Sequence, residues 1–114
     1  MVTYVQNLTT LIMKTKEMAV SINRAENRFE LEINGRLSFI AYTPKDDQTL
    51  VLTHTEVPTK QEGNGIGSRL VKGTFEYIEK YNLKMIPSCS FVANYIKSHP
   101  EYNRLVSPDY RKKY

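Results

Sequence analysis

Residues 51–69 read VLTHTEVPTKQEGNGIGSR, and the course of the chain on either side follows from how this stretch is read. It starts as a strand rich in Thr and Val, breaks at Pro58, and passes the closely spaced Gly63, Gly65 and Gly67. Ser68, Arg69 and Leu70 then open a helix. A glycine turn running straight into a helix leaves the first backbone N–H groups without intrahelical partners. Together with the positive end of the helix dipole, those donors suit an anion, and phosphate above all. The competing reading is a plain turn, the commonest use of clustered glycines. Two better-known phosphate loops are excluded by the residues present. A Walker A loop needs Gly-Lys-Ser/Thr, but Gly67 is followed by Ser68 and Arg69. A dinucleotide fingerprint needs glycine where Ser68 stands and an acid near Leu83.

Upstream, the pattern is β. Residues 19–22 read as a short edge strand and 24–27 as a turn. Phe29, Leu31 and Ile33 alternate with Glu30 and Glu32, which predicts a strand with one buried face. Asn34-Gly35 is a strong hairpin signal, leading into a strand over 36–43. Pro44 to Gln48 supplies the next turn, and 49–57 the strand that ends at Pro58. On a regular strand, period two puts His54 and Glu56 on the same face as Leu50 and Leu52.

Downstream, Ile66, Leu70, Phe75 and Ile78 fall near one helical face, and Asn82 stops the helix. Gly73 inside it predicts close packing against the sheet. Residues 84–86 form a short strand, parallel to the one before the loop, in a right-handed β-α-β unit. Ser90 can cap a second helix over 91–98, which Pro100 ends. The fold class is therefore α/β (α+β): a mostly antiparallel sheet of about five strands finishing in a β-α-β unit, with two main helices.

The chain has 114 residues, enough for one domain with a core of its own. A single cysteine excludes an intramolecular disulfide, and no cluster of metal ligands accompanies it. No apolar run approaches the roughly 20 residues of a membrane-spanning helix, and a reducing cytosol is the expected compartment. Residues 1–17 lack a consistent period and read as an extension, weakly helical or disordered. The domain is expected over 18–106, followed by a basic tail, 107–114. The formal net charge is +4, with Lys60, Arg69 and Lys72 around the glycine turn. A basic surface fits nucleic acid or a pocket for a polyanion; no helix-turn-helix, zinc-finger or RNP pattern supports the first.

Three segments carry a resemblance to a known family: HTEVP at 54–58, EGNGIGSRLV at 62–71 and MIPSCSFVANYIKSHPEY at 85–102. Together they resemble the short YjdJ-type acetyltransferases of the GNAT superfamily, over roughly residues 28–106. GNAT enzymes carry Gln/Arg-x-x-Gly-x-Gly/Ala at this turn, and its amides cradle the pyrophosphate of acetyl-coenzyme A. The resemblance puts Gly65 and Gly67 on the glycine positions and Glu62 where the superfamily has Gln or Arg. It implies a coenzyme site made by Glu62, Gly63, Asn64, Gly65, Ile66, Gly67, Ser68 and Arg69. It also implies parallel strands that splay at their C-terminal ends. Pro58 and Pro87 agree with that, because proline cannot donate to a ladder. Backbone groups of the freed edge, including Thr55 and Val57, would then meet the amides of pantetheine.

The expected activity is transfer of acetyl from acetyl-coenzyme A to an amine, on a protein or other extended acceptor. A non-catalytic acyl-coenzyme A sensor or adaptor is the alternative, and a nucleic-acid-binding module a more distant one. Transfer needs a proton acceptor and a donor for the developing oxyanion. His54 can accept a proton near neutrality, or be a histidine merely bonded to backbone. Cys89 precedes a helix start, where the dipole favours thiolate, or is a small buried hydrophobe. The resemblance assigns both to the site, through HT-x-V and P-x-C, and loosely matches Tyr95 to a general acid. Direct attack by the amine and an acetyl-cysteine intermediate both remain open. GNAT domains usually insert two helices between their first strands. Here only a few turn residues stand there, which implies an open acceptor face.

Overall fold

A computed structural model describes residues 19–58 and 65–113; the expected extension at 1–17, and Lys60, Glu62, Gly63 and Asn64, lie outside the described residues. The elements are β1 (Ser21–Asn23), β2 (Arg28–Ile33), β3 (Arg36–Pro44), β4 (Thr49–Glu56), α1 (Ile66–Lys80), β5 (Lys84–Pro87) and α2 (Ser90–Ser98). Two 3-10 helices follow, Pro100–Leu105 and Pro108–Lys113. The strands make one five-stranded sheet in sequence order, antiparallel from β1 to β4 and parallel between β4 and β5.

Local chemistry accounts for the turns. Asn34 and Gly35 both have positive φ, 54° and 73°, as the tight β2–β3 hairpin requires. Asn27 (φ 54°) closes the β1–β2 turn in the same way. The β3–β4 turn is held by the Asp46 carboxylate, which accepts a hydrogen bond from the Gln48 amide at 2.9 Å.

The core lies on one face of the sheet. Phe29, Leu31, Ile40 and Leu52 are fully buried there against Leu70, Val71, Phe75 and Ile78 of α1. Each such side chain contributes roughly 1.5–3 kcal/mol through burial. Gly73 is packed as its sequence suggests, although its neighbour is not a strand. A Cβ at Gly73 would stand 2.3 Å from Cγ2 of Val20, so the segment leading into β1 crosses the helix there. The 107–114 segment, read as a tail, folds in large part as the second 3-10 helix. The Ser107 amide bonds the Met85 carbonyl at 2.8 Å, Tyr110 packs against the core, and Arg111 donates to the Val106 and Arg104 carbonyls.

One feature of β4 corrects the sequence reading. Ala41 pairs with His54, but Tyr42 pairs with Leu52, so Thr53 is an extra residue. The Thr53 hydroxyl fills the gap by donating to the Ala41 carbonyl at 3.2 Å. The bulge breaks the alternation that period two assumes. Leu50 and Leu52 face the core, and so does Thr55, opposite buried Ile40. His54 and Glu56 stand opposite Ala41 and Phe39, on the other face, and do not share a face with the leucines.

Candidate functional site

The site is built where β4 and β5 part. Their parallel ladder stops at Leu52 and Pro87. Beyond it, the Cys89 amide reaches back to bond the Leu52 carbonyl at 3.0 Å. Among the described residues, 53–56 therefore pair with β3 alone, and their other edge is open. An open strand edge offers N–H and C=O groups at the spacing of extended amides.

Both helices start at this end of the sheet, because each follows one of the two parallel strands. Gly65 precedes α1 with φ 75°, a left-handed conformation that glycine adopts without strain. Among the described residues no side chain caps the α1 start, and its first turn holds no acidic residue. The same is true of α2, whose N-cap is Cys89 in extended conformation. Ser90 is thus the first helical residue and not the cap that its hydroxyl suggested. Uncapped starts leave N–H donors and partial positive charge facing outward. Arg69 and Lys72 add exposed cations on the α1 flank, where they line a cavity of about 430 Å³ with Ser68 and Tyr95.

The two helix starts touch. A Cβ at Gly67 would lie 2.5 Å from the tip of the Phe91 ring, and Phe91 is 42% exposed. Phe91 was not singled out by its sequence, where an apolar residue in a helix reads as core. Its place two residues past Cys89, in the first turn of the helix, was the available signal.

Cys89 is half-buried, with Sγ 3.1 Å from the Thr55 hydroxyl. His54 stands on the opposite face of β4, with its Nε2 3.6 Å from a Glu56 carboxylate oxygen. The His54 ring meets Phe39 edge-on at 6.1 Å. Cys89 and His54 are therefore brought to the same strand segment but kept on its two sides. Each has another partner, and the imidazole is not arranged to take a proton from the thiol. Val57 packs at the margin of the core. Tyr95 stacks on His99 at 4.1 Å and meets Phe75 at 5.8 Å. Burial, then Tyr102 and Glu101, push the Tyr95 phenol above its usual range, as packing in an aromatic cluster explains.

Comparison with known proteins agrees with this fold. Residues 28–105 match the family model described as GCN5-related N-acetyl-transferase. The chain is also similar to the solution NMR structure of a GCN5-like protein from Staphylococcus aureus. The two are 28% identical with a TM-score of 0.61, over 80% of this chain and 89% of that one.

Proposed function

Because the chain belongs to the GCN5-related N-acetyltransferase family, we propose that it binds acetyl-coenzyme A between β4 and β5 and acetylates an amine on an extended acceptor. One observation carries this reading. The open edge of residues 53–56 and two helix starts without side-chain caps among the described residues lie together at the end of the sheet where β4 and β5 part. Anion donors and an amide-binding edge are the two things that a pyrophosphate joined to pantetheine needs.

The amides of Gly65 through Ser68 at the start of α1 hold the pyrophosphate, and the Arg69 side chain adds its charge, because its amide already bonds the Gly65 carbonyl at 3.0 Å. The resemblance adds Glu62, Gly63 and Asn64 to the same site. Backbone groups at Thr55 and Val57 bond the pantetheine amides. The coenzyme supplies the acetyl group as a thioester, directed toward Thr55 and Cys89. Free N–H groups at the cleft polarise its carbonyl. The acceptor comes from the His54 face as a neutral amine. As its nitrogen bonds the acetyl carbon and the C–S bond breaks, His54 takes the amine proton, Glu56 steadies the imidazolium, and the proton passes on to the departing coenzyme A thiolate. The separation of His54 from Cys89 favours direct attack, since the thiol has the Thr55 hydroxyl and no base beside it among the described residues. Cys89 shapes the end of the channel.

The test is thiol release from acetyl-coenzyme A on addition of amine acceptors. His54→Ala should slow turnover by roughly 10²–10⁴, and Cys89→Ala should keep most of it. A stoichiometric acetyl adduct on the intact protein, lost in Cys89→Ala and discharged by acceptor, would replace direct attack with a covalent route. Bound acetyl-coenzyme A that is never consumed would make the protein a sensor.

A further inference from the structure

The end of the sheet away from the cleft carries a second cavity, of about 350 Å³, within the size range of small-molecule sites. It lies between the last turns of α1 and the β1–β2 and β3–β4 turns, with Ile22, Leu50 and Leu83 as apolar lining. Tyr42, Tyr77 and Tyr81 line it as well. The Tyr42 and Tyr77 rings both pack on Phe29, each with its centroid 5.3 Å away. Arg24 reaches in from the β1–β2 turn and donates from Nη2 to the Tyr77 hydroxyl at 2.9 Å. Tyr42 is only 7% exposed, yet among the described residues its hydroxyl has no hydrogen-bond partner. A buried tyrosine usually finds one. Burial, foremost, raises the Tyr42 phenol above its usual range, with nearby Arg24 opposing and nearby Tyr77 adding to the rise. Its hydrogen therefore stays in place near neutrality, free to be donated.

We infer that this cavity binds a small carboxylic acid with an apolar body. Tyr77, having accepted from Arg24, keeps its own hydrogen to donate. Two phenol O–H groups and the remaining guanidinium N–H groups thus stand at one corner, and all of them suit a carboxylate. The apolar body then lies over Ile22, Leu50 and Leu83 and against the half-exposed Tyr81 ring. Two carboxylates, Asp46 and Asp47, also line the cavity, from the β3–β4 turn. Asp46 is engaged there by the Gln48 amide at 2.9 Å. That turn is two strand spacings from the turn bearing Arg24, about 10 Å, so the donors keep their own corner. An organic cation is the poorer fit. Arg24 already holds the Tyr77 hydroxyl, and the Lys80 ammonium lies 5.6 Å over the Tyr81 ring. This site is at the opposite end of β4 from the proposed coenzyme cleft and does not depend on the transferase reading.

The test is amide NMR on the full chain, titrated with 3-phenylpropionate, 3-phenylpropanol and 3-phenylpropylamine. These probes share an apolar body and differ in the charge of one end. The carboxylate should give saturable shifts at Arg24, Tyr42, Tyr77 and Leu83, with the alcohol and the amine at least about tenfold weaker. Arg24→Gln should weaken 3-phenylpropionate by about tenfold, as for a charge-assisted hydrogen bond. Tyr42→Phe should weaken it by about three- to tenfold while the melting temperature stays unchanged, because the hydroxyl removed has no partner within the described fold. A purely structural hydroxyl would move the melting temperature and not the affinity. Equal or tighter binding of the alcohol or the amine, shifts confined to the coenzyme cleft, or full affinity in both variants would each overturn the inference. So would the absence of any saturable shift.

Discussion

The two halves of β4 lie on one strand beside one neighbour, β3, yet they live in different surroundings. Residues 49–52 pair on both sides, and Leu50 and Leu52 are buried. Among the described residues, 53–56 pair on one side only, and His54 and Glu56 are exposed. The change happens at Thr53, the extra residue. The first half satisfies its backbone and buries its side chains, which is what stability asks. The second half withholds one edge, and that unsatisfied edge is what a ligand can use. In this protein the proposed site is a place where the β4–β5 ladder stops, at Pro87, and the β3–β4 register shifts, at the bulge.

Changing the closed half should have the largest effect. Leu52→Ala removes a fully buried side chain and should cost about 2–5 kcal/mol of unfolding free energy, read from denaturant melts. His54→Ala, in the open half, should leave the same melts unchanged within about 0.5 kcal/mol. A comparable loss from both would show that the halves are not distinct.

The helix glycines sharpen the comparison at a smaller scale. Gly73 faces the body of Val20, whereas Gly67 faces only the tip of an exposed ring. Gly73→Val should therefore cost about 1–3 kcal/mol by overpacking. Gly67→Val should cost less than about 1 kcal/mol, because Phe91 can swing aside, yet weaken acetyl-coenzyme A binding by about tenfold, near 1.4 kcal/mol. If Gly67→Val binds like the parent, the anion site is elsewhere.

The smallest effect concerns the turn that aligns β3 with β4. The Gln48 amide, foremost, holds the Asp46 carboxyl below its usual range. A carboxylate whose pKa falls on folding adds stability above its unfolded value and loses it as pH drops through the folded one. Asp46→Ala should thus melt slightly below the parent at neutral pH, with the gap closing in acid. A gap that widens in acid would refute that account.

Much of this was legible in the sequence because it depends on local rules. Asn34-Gly35 fixes its hairpin through positive φ, and Ile66, Leu70, Phe75 and Ile78 fix the buried face of α1. Gly65 marks the left-handed turn before the helix. What escaped depends on departures from regularity or on contacts between distant segments. Period two cannot foresee an extra residue such as Thr53, so the side on which His54 stands was misread. Gly73 signalled closeness without naming Val20 as the neighbour, and nothing local placed Phe91 over Gly67. The Thr55–Cys89 contact joins residues from two strands and needed the parallel register.

Backbone amide NMR of the full chain during titration with acetyl-coenzyme A tests the central claim most directly. The account predicts saturable shifts concentrated in residues 53–56, in the first turn of α1, and at Ser90 and Phe91. Residues 49–52 and the Asn34-Gly35 hairpin should move little. No saturable shift, or shifts centred away from the open edge of β4, would contradict it.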